Sequence, residues 1–314
     1  MSQITVRQAN LADSAAITAL TLANVKTWTR RDASGEQIPT DYEDLTLFER
    51  WQNAGPWASV EMCAVHLANL LRGADGIPLV AEVGGQVGAE AEVYIGREPE
   101  PFGHHINIAR LIVDPAYDEI GLGSALLTYI HQIAEAIRCK RVTVADGAPE
   151  AALYEHHRFT HSHVGQRIVF KAQEGRVFYK ASELTTFDPR QIDGWHMPLG
   201  RYQNARQEWD RMPPGFWNSV PEIVEIETAR LHLTVTGQEA YALLQQDRDK
   251  PERVHAFIWT RRPISPLLVM ALRDWATHHN YEEVMTFAWD HVIAQVDAEP
   301  ADEPYTQHLY ERTL

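Results

Sequence analysis

The sequence predicts an α/β (α+β) protein built of two related halves, each a mixed central sheet flanked by helices. Three observations predict it. A succession of strand, loop, helix and strand occurs twice, with a period of about 150 residues. The length of 314 residues is enough for two domains, each with a core of its own. Hydrophobic residues make up 45% and charged residues 23%, the balance of a soluble globular chain, which excludes wholesale disorder, collagen and coiled-coil rods.

Charge narrows the class of partner. The formal net charge is −15, shared almost evenly between residues 1–172 and 173–314. Such a chain repels phosphate backbones, so no nucleic-acid partner is expected, and cationic small molecules suit it better. Two cysteines, Cys63 and Cys139, exclude a disulfide framework and a four-thiolate zinc site. No uncharged apolar run approaches the ~18 residues that a membrane span needs. The opening MSQITVRQANLADSAA lacks the basic and apolar regions of a secretory signal. A cytoplasmic protein with no membrane partner is the expectation.

The elements follow in order. Ile4 and Val6 alternate with polar neighbours as a strand, and Asn10 or Asp13 can cap a helix through Ala15, Ile17, Leu20 and Leu22. Residues 26–62 mix Trp28, Trp51 and Trp57 with Asp41, Glu43, Asp44 and Glu49. This is either a surface insertion whose tryptophans pack as core or a lid that grips substrate. Leu79–Val83, the Gly84-Gly85 turn and Val87–Ile95 form a hairpin. Ile106–Val113 is the next strand. Ala125–Ile137 is an amphipathic helix, with Leu126, Leu127, Ile130, Ile133 and Ala134 three and four apart. Arg141–Ala145 is a strand, Pro149–His156 a short helix, and strands near Arg167–Lys171 and Arg176–Lys180 close the half. Beyond Gln173-Glu174-Gly175, a Trp-rich helical stretch is expected over residues 190–212, then a strand pair, Ile223–Glu227 and Leu231–Val235. Strand Val254–Trp259, helix Leu267–His278, strand Glu283–Trp289 and the segment His308–Leu314 follow.

The stretch that carries chemistry runs from Leu111 to Leu127. A strand delivers the chain into a turn with Gly121 and Gly123, and the turn opens a helix. Backbone N–H groups and the positive helix end make an anion cradle suited to a pyrophosphate. Leu126 stands where a dinucleotide fold needs its third glycine, and no Gly-Lys-Ser/Thr follows for a P-loop.

Val113-Asp114-Pro115, then Tyr117-Asp118-Glu119-Ile120-Gly121-Leu122-Gly123 and Leu126-Leu127, resemble the cofactor signature of the GNAT acetyltransferase superfamily. Upstream, Val80-Ala81-Glu82 and Val87-Gly88 are similar to that family's hairpin. Downstream, Leu153-Tyr154-Glu155-His156-His157-Arg158-Phe159 resembles its Leu-Tyr-Glu-Lys-x-Gly-Phe. The three motifs stand in the family's order across residues 4–172. Asp118, Arg158 and Gly147 depart from its usual residues.

The resemblance implies acetyl-CoA as acyl donor and a primary amine that attacks the thioester directly. It implies that Leu111, Ile112 and Val113 line the acetyl-pantetheine arm through their backbone. It implies that Glu119, Ile120, Gly121, Leu122, Gly123 and Ser124 wrap the pyrophosphate. Tyr154 matches the family's acid for the departing thiolate. The amine must lose a proton, because a free alkylamine is mostly protonated near neutral pH. Glu90 and Glu92 share one strand face, and either can be the base, with Glu92 slightly preferred; His104 and His105 are weaker candidates. His156, His157, His161 and His163 invite a zinc hypothesis, but no thiolate accompanies them, so a surface strand is preferred and no metal is expected.

In the second half, Thr260-Arg261-Arg262-Pro263-Ile264-Ser265-Pro266 stands where the glycine turn belongs, and its two prolines remove backbone donors. The expected organisation is a GNAT domain over 1–172 and a degenerate GNAT-like domain over 173–314. The expected function is N-acetylation of a small, cationic amine, by a monomer with an internal pseudo-dimer or by a homodimer. A catalytically inactive acyl-CoA or amine binder is the alternative.

Overall fold

A computed structural model describes residues 3–32, 35–73, 75–117, 120–146, 151–214, 220 and 226–314. The chain forms two compact units: Met1–Ile95, Ile108–Cys139 and Trp217–Glu225 make the first, and Gly96–Asn107, Lys140–Phe216 and Ile226–Leu314 the second. Compactness therefore groups residues differently from the sequence halves 1–172 and 173–314.

In the first unit β1 (Ile4–Gln8) leads through a tight turn, Leu11–Asp13, into α1 (Ser14–Asn24). Asn10 and Asp13 cap that turn reciprocally: Asn10 Oδ1 accepts from Ala12 N–H and Asp13 Oδ2 from Asn10 N–H. The insertion holds a small hairpin, β2 (Thr29–Arg31) and β3 (Gln37–Pro39), then α2 (Leu47–Ala54), capped by Thr46 and Glu49. A helix not expected from the sequence, α3 (Val60–Arg72), follows. Its signal was present: Met62, Cys63, His66, Leu67 and Leu70 recur at helical spacing and are its buried face. β4 (Gly76–Val83) pairs antiparallel with both β1 and β5 (Gln86–Arg97). β6 (His104–Val113) lies next to β5, and α4 (Leu122–Ala136) follows it. Ile17, Leu67, Leu70, Val80 and Tyr94 form the core between helices and sheet.

The second unit contains β7 (Arg141–Asp146), α5 (Ala151–His156), β8 (Thr160–Lys171) and β9 (Tyr179–Glu183). Residues 190–212 are not one helical stretch. They hold β10 (His196–Leu199) and only a short α6 (Ala205–Trp209), because Gly194 and Gly200 turn the chain at positive φ and β10 pairs with β13 (Arg253–Thr260). The strand expected at Ile223–Glu227 falls largely outside the described residues. Instead β11 (Thr228–Val235) pairs with β12 (Gln238–Gln246) across Thr236-Gly237, both at positive φ. That tight turn is the hairpin signal the sequence reading passed over. α7 (Pro266–His278) crosses from β13 to the parallel β14 (Glu283–Trp289). α8 (Asp290–Ile293), β15 (Glu299–Pro300) and β16 (Thr306–Thr313) complete the chain.

The strand order in this unit, β7-β16-β8-β14-β13-β12-β11-β9, interleaves the two sequence halves. β16, from the end of the chain, inserts between β7 and β8, while β8 pairs on its other side with β14. Each half thus supplies a strand that completes hydrogen bonding begun by the other. Leu309, on the inserted strand, is fully buried with Phe102, Ala145, Phe287 and Trp289. Among the described residues no helix is long and apolar enough to cross a membrane.

Leu309→Ala is expected to lower unfolding stability by about 2–5 kcal/mol in a urea titration. A midpoint equal to that of the wild type would show that the inserted strand does not hold the unit together.

Candidate active site

The anion cradle forms at the end of β6. The chain leaves Val113, passes the turn Pro115–Tyr117 and reaches Gly121, which has φ +92° and ψ +20° and immediately precedes α4. Gly121 has no side chain with which to cap that helix end. A Cβ at Gly121 would meet no atom within 4 Å, which means that the backbone is open to an approaching anion. The loop is seated from below. Gly88 on β5 lets Leu122 and Tyr117 come so close that a Cβ there would lie 2.7 Å from Leu122 Cδ1. Ile120 lies before Gly121 on the turn, and Leu122, Gly123 and Ser124 already belong to α4, which begins three residues ahead of the Ala125 start expected from the sequence, whereas Glu119 lies outside the described residues. Leu111, Ile112 and Val113 end β6, and Asn24 Nδ2 donates to Val113 O at 3.0 Å. An uncapped helix start behind an open glycine fits a pyrophosphate.

Glu90 and Glu92 point the same way from β5, and both are buried. They are held differently. Trp57 Nε1 donates to Glu92 Oε1 at 2.6 Å, and His66 Nε2 reaches the two carboxylate oxygens at 2.9 and 2.8 Å. Burial pushes Glu92 up, but His66, Arg110 and the Trp57 bond outweigh it and hold the carboxyl below its ordinary value. Glu90 takes one bond, from Arg110 Nη1 to Oε2 at 2.8 Å, while its Oε1 receives none. Here desolvation wins over Arg110, and the charged neighbour Glu92 adds to it, so the carboxyl is pushed up to about 8. Arg110 also donates to Thr21 Oγ1 at 2.7 Å and lies 4.2 Å over the Trp57 ring. Cys63, buried nearby, has its thiol pushed up to about 12 by burial and by the two glutamates, so it stays protonated and is no nucleophile.

This cluster borders open space. A cavity of about 420 Å³ is lined by Thr21, Asn24, Asn53, Trp57 and Arg110; of these, Trp57 and Arg110 bond the two glutamates, Thr21 accepts from Arg110, and Asn24 donates to the cradle strand. Sequence reasoning missed Thr21, Trp57, His66 and Arg110. Only the Trp57 position carried a signal, as part of the aromatic insertion. That insertion divides its roles: Trp28 packs edge-on to Tyr42 and Trp51 stacks on Phe48, whereas Trp57 reaches the acid pair.

The other sequence candidates lie in the second unit. Tyr154 on α5 is buried and packs edge-on against Phe159, with ring centroids 5.6 Å apart. His105 is fully buried, its Nδ1 donates to Gly103 O, and burial drives it down to about 4. It is a packed neutral imidazole. His161 and His163 lie on β8, and His156 and His157 at the end of α5.

The acetyltransferase (GNAT) family model matches residues 35–159, the span that contains the cradle and the acid pair. Among solved structures, a GCN5-related N-acetyltransferase from Kribbella flavida is 12% identical with a TM-score of 0.57, covering 100% of this chain and 71% of that one. A second, from Anabaena variabilis, is 10% identical with a TM-score of 0.58, covering 99% and 73%. A conserved protein from Enterococcus faecalis, described as a probable N-acyltransferase, is 10% identical with a TM-score of 0.54, covering 100% and 73%. At these identities the likeness is one of fold. No curated protein sequence matches the chain. Residues 35–159 are thus similar to a GNAT acetyltransferase domain, and GNAT structures share the chain's mixed α/β fold over its whole length.

Glu90 gives this site a pH signature. Its folded carboxyl is raised from 4.5 to about 8, so its contribution to stability is full below the lower value and is lost as pH rises through the upper one. Glu90→Gln is therefore expected to gain melting temperature relative to wild type between pH 5 and about 8.5. Parallel curves for the two proteins would contradict a raised Glu90.

Proposed function

We propose that the protein is an acetyl-CoA-dependent N-acetyltransferase that moves an acetyl group to a primary amine of a small molecule by direct attack. One observation carries the reading: within the GNAT-matching span, an open, uncapped helix end behind Gly121 accompanies a buried carboxylate pair in which one oxygen is uncommitted. Acetyl-CoA supplies the activated thioester when bound. On the family resemblance, the segment Glu119, Ile120, Gly121, Leu122, Gly123 and Ser124 would wrap its pyrophosphate, and the backbone of Leu111, Ile112 and Val113 would line its pantetheine arm.

Within this reading Glu90, rather than the slightly preferred Glu92, is the base. Both oxygens of Glu92 are occupied by Trp57 and His66, and its lowered basicity suits a fixed anchor. Glu90 has a free oxygen and a basicity near that of the medium, which is where proton transfer is most effective. Arg110 and Thr21 line the cavity and anchor Glu90 beside it, and the amine's proton would pass to the Glu90 carboxylate directly or through a water, with Arg110 remaining charged throughout. The protonated Cys63 thiol offers no covalent route, in agreement with direct attack. Tyr154 keeps the role of acid for the departing thiolate, on its match to the family motif.

The acceptor is a small primary amine. Its expected cationic character has no counterpart in the cavity lining, where the charged residue is Arg110. We assign the reaction to residues 1–172, with 173–314 as a degenerate copy. The protein would act in the cytoplasm, as a monomer with an internal pseudo-dimer or a homodimer, without nucleic acid or membrane.

A thiol-release assay over a panel of small amines tests the reading. Glu90→Gln should lower kcat by about 100-fold or more and remove the alkaline rise of the pH profile, while leaving acetyl-CoA affinity unchanged. Glu92→Gln should act mainly by disturbing Trp57 and His66. Full activity in Glu90→Gln would transfer the role elsewhere. Absence of turnover with every amine, despite acetyl-CoA binding, would favour a binding protein.

A further inference from the structure

β8 carries His161 and His163 two residues apart, which by itself is only a surface strand. Its neighbour β14 runs antiparallel to it, pairs Trp289 with Gly165, and then turns into α8. That turn delivers Asp290 and His291 to His163, 127 residues away in sequence. His163 Nδ1 is 2.8 Å from Asp290 Oδ1, and His291 Nδ1 is 3.6 Å from the same oxygen. One donor atom from each of the three residues falls within 4.8 Å of the others.

The arrangement is built rather than incidental. Two backbone groups fix the carboxylate: His291 N–H donates to Oδ1 at 2.7 Å, and Val164 N–H reaches Oδ2 at 3.4 Å. Phe102 backs both imidazoles, with ring centroids 6.5 Å from His163 and 6.0 Å from His291. His291 Nδ1 is buried without a hydrogen bond. Arg201, the basic group whose field reaches His291, is itself paired with Glu98 at 3.0 and 3.1 Å.

We propose that His163, Asp290 and His291 form a binding site for a divalent transition-metal ion of the zinc type, held by two imidazole nitrogens and one carboxylate oxygen. A tetrahedral ion with ligands at about 2.0–2.1 Å needs donors about 3.3 Å apart. The two distances to Asp290 Oδ1 bracket that value, and the remaining donor separation lies within 4.8 Å, so rotation of the side chains would complete the site. Two imidazoles with one carboxylate suit zinc and its neighbours, whereas magnesium and calcium prefer all-oxygen shells. The fourth position would be taken by water. His291 also lines, with Phe102 and His196, a cavity of about 150 Å³ that gives it room. A bound ion ties β8 to the start of α8, and so joins strands from the two sequence halves where they interleave. This inference is independent of the acetyltransferase reading.

The test is titration of the full, chelator-treated protein with cobalt(II) chloride, followed by displacement with zinc. One equivalent of cobalt should produce visible d–d bands that zinc abolishes, and zinc should raise the melting temperature. Asp290→Asn and His291→Ala should each weaken binding at least about tenfold, a loss seen even for outer-shell partners. His308→Gln should leave it unchanged; it alters the exposed pair His161–His308, whose ring nitrogens lie 3.2 Å apart. Circular dichroism checks that each variant is folded. No bands with the wild type, or bands that vanish with His308→Gln but survive both ligand variants, would overturn the proposal.

Discussion

Two carboxylates on one strand face, with almost no solvent, have to be neutralised or they would unfold the sheet that carries them. Much of the first unit is arranged around that constraint. The insertion brings Trp57, α3 brings His66, β6 brings Arg110, and α1 brings Thr21, and these four converge on Glu90 and Glu92. The result is asymmetric. Glu92 is satisfied at both oxygens and becomes a fixed anion, while Glu90 keeps one oxygen free and sits near its protonation midpoint in mildly alkaline solution. Two like groups separated by environment into different protonation states are the raw material of proton transfer.

The cradle obeys a different logic. It uses backbone alone, so what matters is where N–H groups point and what keeps side chains out of the way. Gly121 supplies a left-handed turn and an open approach, and Gly88 lets the turn settle on the sheet. The first unit thus combines a backbone turn open to solvent at Gly121 with an exacting acid cluster.

The parts written in local pattern were legible in the sequence. The hairpin at Gly84-Gly85, β6, the Gly121 turn and α4 are contiguous, and their residues announce their geometry. The acid pair was legible as a face of β5, because side chains alternate along a strand. Its partners were not, since Trp57, His66, Arg110 and Thr21 come from four separate elements and meet only through packing. The same reason hid the approach of Asp290 and His291 to His163. The insertion of β16 between β7 and β8 is likewise a long-range pairing that no local pattern encodes. Over residues 190–212 local pattern misled: the tryptophans suggested a helix, but Gly194 and Gly200 and the pairing of β10 with β13 prevailed.

The central proposal is that the first unit, which carries a poised carboxyl, holds an acyl-CoA on the backbone of the Gly121 turn. Calorimetric titration of the wild type and of Gly121→Glu with acetyl-CoA tests it most directly. The account predicts micromolar binding by the wild type and none by the variant, whose side chain would place a negative charge in the open approach. Binding that persists unchanged in Gly121→Glu, or no binding by the wild type, would contradict it.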